Sequence, residues 1–149
     1  MGFISKLFDL KGKTVVITGA AGFLCSEMAL AFHAVGCSVI LLDANLEGAE
    51  KILKKIKNNS GQSIALKMDS RLKIDFENCL DRIIIEFGKV DILINGAGIN
   101  APTPFLEITE EEWDNILAVQ LKGTMFGCQV FGKQMLKQNF GSIINISSA

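Results

Sequence analysis

A chain of 149 residues, 49% hydrophobic and with only two prolines, has the size and composition of one packed domain. That excludes a disordered, collagen-like or linker-rich chain. Fifteen Lys and Arg against sixteen Asp and Glu leave a net charge of -1, so no global field draws the protein to nucleic acid or an anionic membrane.

Charged residues interrupt the N-terminal segment, and no apolar run there is long enough for a signal peptide or a membrane span, so a cytoplasmic location is expected. Five apolar runs bounded by turn-forming residues predict buried strands: Thr14 to Thr18, Ser38 to Leu42, Ser63 to Met68, Asp91 to Asn95 and Ser142 to Ile146. Between the first two, Met28, Ala31, Phe32 and Val35 fall at i, i+3, i+4, i+7, which predicts a helix ended by Gly36 with His33 outside its apolar stripe. The next helix, about Leu46 to Lys57, carries Leu46, Ala49, Ile52, Leu53 and Ile56 on one face and a solvated lysine face opposite. A third, about Leu72 to Phe87, presents Phe76, Leu80, Ile83, Ile84 and Phe87 before Gly88. Thr109-Glu110-Glu111-Glu112 reads as a capping box that opens a fourth helix, so the acidic run answers the positive end of a helix dipole.

Strands alternating with helices over short connections imply one Rossmann-like α/β domain over 1–149, a doubly wound parallel sheet. Such a fold ordinarily continues to a sixth strand, so the architecture is expected to be truncated after the fifth. Cys25, Cys37, Cys79 and Cys128 are widely spaced, without a CxxC pair and with a single histidine in the chain. They read as buried thiols in a reducing compartment, and no metal site is expected.

The chemistry concentrates where the first strand meets the first helix. Thr18-Gly19-Ala20-Ala21-Gly22-Phe23-Leu24-Cys25 is a glycine-containing turn that opens a helix, where backbone N–H groups can approach a pyrophosphate. Asp43 closes the second strand 24 residues after Gly19, near the spacing of a carboxylate that accepts from an adenosine ribose. A 2′-phosphate there would meet like charge, and Ala20 and Ala44 offer no cation, so NAD is favoured over NADP. The plainer alternative is that Asp43 or Asn45 caps the second helix.

With these motifs stand Asp69-Ser70 after the third strand, Asn95-Gly96-Ala97-Gly98 after the fourth, and Asn145-Ile146-Ser147-Ser148 after the fifth. In that order the chain resembles the short-chain dehydrogenase/reductase family along its whole length. The resemblance implies an oxidoreductase that moves hydride between a nicotinamide and a carbinol or carbonyl carbon of a small-molecule substrate. It implies that Gly19, Ala21, Gly22, Phe23 and Leu24 form the pyrophosphate turn, Asp43 meets the ribose, and Asp69 with Ser70 lies at the adenine. Asn95, Ala97 and Gly98 match the turn beside the nicotinamide ribose, and Ser148 matches the serine that hydrogen-bonds the reacting oxygen. The Asn-Gly-Ala-Gly wording is similar to members acting on sugars and sugar acids. The family also implies pairing of the complete protein into a homo-oligomer through the fourth helix and its successor.

Three positions depart from the family. Phe23 and Cys25 stand where the common pattern has glycines; in the spacing of the family's extended branch Gly19 and Gly22 match, and Cys25 still replaces the last glycine. Gln120 stands where the family carries a catalytic-relay asparagine, and the plainer reading gives it a sheet-side hydrogen bond. The Tyr-x-x-x-Lys pair that supplies the acid/base is expected about a dozen residues after Ser148, beyond Ala149, and no tyrosine stands within the 149 residues. Alone, these residues are expected to bind part of a dinucleotide without turnover. The alternatives are a non-catalytic dinucleotide-binding or interaction module, and an extended-type nucleotide-sugar epimerase or dehydratase, against which the Asn-Gly-Ala-Gly turn argues.

Overall fold

The computed structural model describes residues 9–56 and 62–147. Five parallel strands, β1 (Thr14–Thr18), β2 (Ser38–Asp43), β3 (Ile64–Lys67), β4 (Ile92–Asn95) and β5 (Ser142–Asn145), form one sheet in the order β3-β2-β1-β4-β5. The order reverses at β1, so a crevice opens between the β1 and β4 carboxyl ends, the place where ligands sit in doubly wound folds. Register fixes the crevice: Thr18 pairs with Leu42 on one side and with Asn95 on the other.

Strand alternation divides the core in two. Val15, Ile17, Val39, Leu41 and Ile94 face α1 (Phe23–Ala34) and α2 (Leu46–Lys55). Val16, Ile40, Leu42, Leu66 and Leu93 face α3 (Lys73–Phe87) and α5 (Gly123–Lys137), where Phe76 meets Phe131 edge-on at 6.5 Å between ring centroids. The interiors of β1, β2 and β4 are buried on both sides, as a covered sheet requires, whereas β5 is exposed along its length, contrary to the buried strand expected there, because among the described residues no element packs beyond this edge.

Helix α1 turns a different face inward from the expected one. Cys25, Ser26, Ala29 and His33 are buried, whereas Val35 is 54% exposed and Ala31 is exposed. The small side chains at i, i+4 let the helix lie close on β1 and β2, and Met28 and Phe32 fill the flank. His33 follows at i+8 and is 6% exposed, contrary to the surface position expected of it. The expectation for Cys128 also changes, because this thiol is only half-buried. The expected stops hold: Gly36 and Gly88 both have positive φ beyond their helices.

The capping box at α4 (Glu110–Leu117) forms as expected, with Thr109 accepting from the Glu112 N–H and Glu112 accepting from the Thr109 N–H. The fourth helix is nevertheless not uniform. A π-helical turn, Ala118–Lys122, joins α4 to α5, and the Thr124 hydroxyl donates to the Gln120 carbonyl within it at 2.6 Å. Among the described residues no helix is long and apolar enough to cross a membrane.

Candidate dinucleotide groove

Thr18 builds the floor of the crevice. Its hydroxyl accepts from the N–H groups of Gly96 and Ala97 at 3.0 and 3.1 Å, which binds the β4 turn to the end of β1. Gly19 follows at φ +68°, and a Cβ there would stand 2.7 Å from the Ala97 Cα. Only glycine permits both that backbone conformation and that approach. The chain then enters α1 through Gly22, whose own N–H is satisfied by the Gly19 carbonyl. The N–H groups of Phe23, Leu24 and Cys25 have no acceptor among the described residues, and the side chains of Phe23 and Leu24 are exposed. They form the open, partly positive end of the helix.

Cys25, at the position of the missing glycine, is accommodated by a second substitution of size. Its thiol donates to the Gly96 carbonyl at 3.8 Å, and Gly96 leaves free the space that a Cβ would take from the Cys25 sulfur. Burial, with the Asp43 charge adding to it, pushes the Cys25 thiol up, so it serves as a packed neutral group.

Two cavities open along the crevice and share Ala97 and Gly98. The first, about 270 Å³, is walled by Gly19, Asp43, Ala44, Asp69, Ser70, Arg71, Asn115 and Val119. The second, about 490 Å³, is walled by Gly96, Leu117, Gln120, Thr124, Asn145 and Ser147. Asp43 accepts from the Ala21 N–H at 2.9 Å and from the Asn45 N–H at 2.8 Å. The cap of α2 is Asn45, which accepts from the Gly48 N–H, so Asp43 orders the turn into α1 and faces the first cavity.

Asp69 lies across that cavity, and Ser70 beside it is buried against Gly123. Arg71, which sequence reading passed over, takes both Asp69 oxygens through Nε and Nη2 and reaches the Asn115 side-chain oxygen on α4 through Nη1 at 3.1 Å. The Arg71 guanidinium, and then its backbone N–H, outweigh the effect of partial burial and hold the Asp69 carboxyl below the usual carboxylate range. The signal available in the sequence was an arginine two residues after the carboxylate.

Asn95 stands apart from both cavities. It is 4% exposed, and its amide donates to the Asn145 side-chain oxygen at 2.9 Å, joining β4 to β5 beneath the turn. Gln120 projects into the second cavity, and its amide donates to the Ile99 carbonyl at 2.8 Å. Its acceptor lies in the loop after β4, not on a strand. Ser148 lies outside the described residues. Among the described residues, no three His, Cys, Asp or Glu converge on one point as a metal would require.

Comparison with known proteins agrees with this geometry. The sequence model for short chain dehydrogenases matches residues 13–149. D-threitol dehydrogenase of Mycolicibacterium smegmatis is 34% identical over 141 residues, which make up 95% of this chain and 54% of that protein. The (S)-acetoin-forming diacetyl reductase of Staphylococcus epidermidis strain ATCC 12228 is 37% identical over 91% of this chain and 53% of its own length. The crystal structure of NAD+-bound xylitol dehydrogenase superimposes with a TM-score of 0.88 at 27% identity, covering 93% of this chain and 54% of that one. The chain thus spans about half the length of the relatives it matches.

Proposed function

The chain belongs to the short-chain dehydrogenase family, and from that premise we propose that it is the cofactor-binding part of an NAD-dependent oxidoreductase acting on a small polyol, sugar or sugar acid. The observation that carries the reading is the paired cavity system across Ala97 and Gly98, with two carboxylates, Asp43 and Asp69, lining the first cavity and a helix N-terminus at the β1 turn. The donor set fits a dinucleotide. The N–H groups of Phe23, Leu24 and Cys25 suit the pyrophosphate, and Gly19 makes the tight turn that leads the chain to them. Asp43 accepts from the adenosine ribose hydroxyls, and its charge opposes a 2′-phosphate, which favours NAD over NADP.

Bound nicotinamide supplies a hydride acceptor or donor for a carbinol or carbonyl carbon. The residues of this chain hold the rest in place. Gly96, Ala97 and Gly98, pinned by Thr18, form the wall of the second cavity, and Asn95 and Asn145 brace it from below. Gln120 ties the π-helical turn to Ile99 at the same wall. Ser148 is the proposed partner of the reacting oxygen. A tyrosine–lysine pair outside these 149 residues is proposed to move the proton, as the family pattern implies.

A polyol or sugar substrate is supported by the threitol and xylitol dehydrogenases among the relatives and neighbours. Pairing of the complete protein through α4 and α5 is supported by Leu121 and Met125, which are exposed beside the π-helical turn. A cytoplasmic setting is supported by four free cysteines. The test is NADH formation by the protein expressed from its full reading frame, over a panel of polyols and sugar acids. Turnover with at least one of them is the expected result. NAD binding with no turnover across the panel would contradict the reading.

A further inference from the structure

Arg71 is the one cation lining the first cavity among the described residues, and it pairs with Asp69, one of the two carboxylates of that lining. We infer that Arg71 is a positioning residue for adenine recognition: it fixes the Asp69 carboxylate so that one acceptor position points to the exocyclic amino group of the base. The inference rests on the NAD-binding reading above.

An ionised carboxylate offers roughly four acceptor positions. Three donors of Arg71 already converge on Asp69: the backbone N–H on Oδ1 at 2.9 Å, Nε shared between Oδ1 at 2.9 Å and Oδ2 at 3.1 Å, and Nη2 on Oδ2 at 2.6 Å. A forked guanidinium holds both oxygens in one plane, which a point-charge lysine does not do. The remaining acceptor position therefore has a fixed direction. Nη1 is anchored in turn to the Asn115 side chain, so the bridge joins the loop after β3 to α4. A free Asp69 would rotate, and it would accept from water as readily as from a base.

Arg71 and Asn115 make these contacts at exposed positions, so replacing either leaves the core intact. The decisive comparison is NAD against nicotinamide hypoxanthine dinucleotide, which carries a carbonyl in place of the amino group. Calorimetric titration of the complete protein is expected to give a preference for NAD of about tenfold or more, as a hydrogen bond to a charged group provides. Arg71→Ala and Arg71→Lys are expected to shrink that preference to nearly one, while NAD still binds through its ribose and pyrophosphate. Asn115→Ala is expected to weaken the preference in the same direction by a smaller factor. A preference that persists unchanged in Arg71→Ala would overturn the inference. A general loss of affinity with the ratio preserved would also overturn it, since that is what a merely structural role produces. Failure of the unmutated protein to bind NAD at all would overturn the cofactor reading itself, an outcome separate from a lost preference.

Discussion

Gly96→Ala tests whether Cys25 and Gly96 act as one packing unit. A Cβ at position 96 would run into the Cys25 sulfur, and its next neighbour is the Thr18 carbonyl oxygen at 3.2 Å. The thiol is buried, and turning it away breaks its contact with the Gly96 carbonyl. Overpacking of this kind costs about 1–3 kcal/mol, so a loss of about 2 kcal/mol is expected for Gly96→Ala alone. Cys25→Ala removes the sulfur at a cost of about 1 kcal/mol for the lost burial. In the Cys25→Ala background only the Thr18 oxygen remains close, a contact that needs a shift of a few tenths of an ångström. The second substitution should then cost about 0.5–1 kcal/mol, which leaves a coupling of about 1–1.5 kcal/mol between the two sites. Urea denaturation of the four proteins, with equal m-values, measures the cycle. Strict additivity would refute the claim that Gly96 makes room for the thiol.

Four other outcomes follow from the same contacts. Thr109→Ala should lose about 1 kcal/mol by removing the α4 capping box, and an unchanged thermal midpoint would contradict this. Asp91 accepts from the Thr14 N–H at 2.8 Å and pairs with Lys89 and Lys13; burial raises its carboxyl, but Lys89, Thr14 and Lys13 together hold it below the ordinary value. Its contribution is therefore present above the unfolded carboxylate pKa of about 3.9 and disappears as pH falls through the lower folded value, so Asp91→Asn should cost about 2 kcal/mol at neutral pH and flatten the acid limb of a stability–pH curve. Gln120→Asn shortens the amide's reach to the Ile99 carbonyl, and kcat/KM of the complete enzyme should fall about tenfold; unchanged kinetics would remove Gln120 from the positioning set. The 149 residues alone should self-associate through β5, an edge strand with Ile143 and Ile144 exposed, and a monodisperse monomer in light scattering would contradict that.

The strands were legible because each is a short apolar run closed by turn residues, although only β1, β2 and β4 prove buried on both faces, and β5 shares the pattern while lying exposed at the edge. Strand order was not legible in detail, since pairing depends on crossovers that periodicity does not encode. The α1 face was misread for a physical reason. Ranking by hydrophobicity favours Met28, Phe32 and Val35, whereas close packing on the sheet selects the small Cys25, Ser26 and Ala29. Gly19 and Asp43 were visible because a left-handed turn and a strand-end carboxylate each constrain residue type strongly. The π-helical turn at Gln120 left no compositional trace, because it is a slip in backbone hydrogen bonding. Arg71 and Asn115 lie 44 positions apart, and their meeting becomes visible only once the loop after β3 and α4 line one cavity.

The most direct measurement is the pair of dissociation constants for NAD and NADP, taken for the unmutated complete protein and for Asp43→Ala. Tight NAD binding is expected, with a preference over NADP of about tenfold or more and loss of most of that preference when the carboxylate is removed. Equal affinity for both dinucleotides, or a preference unaltered by Asp43→Ala, would contradict it.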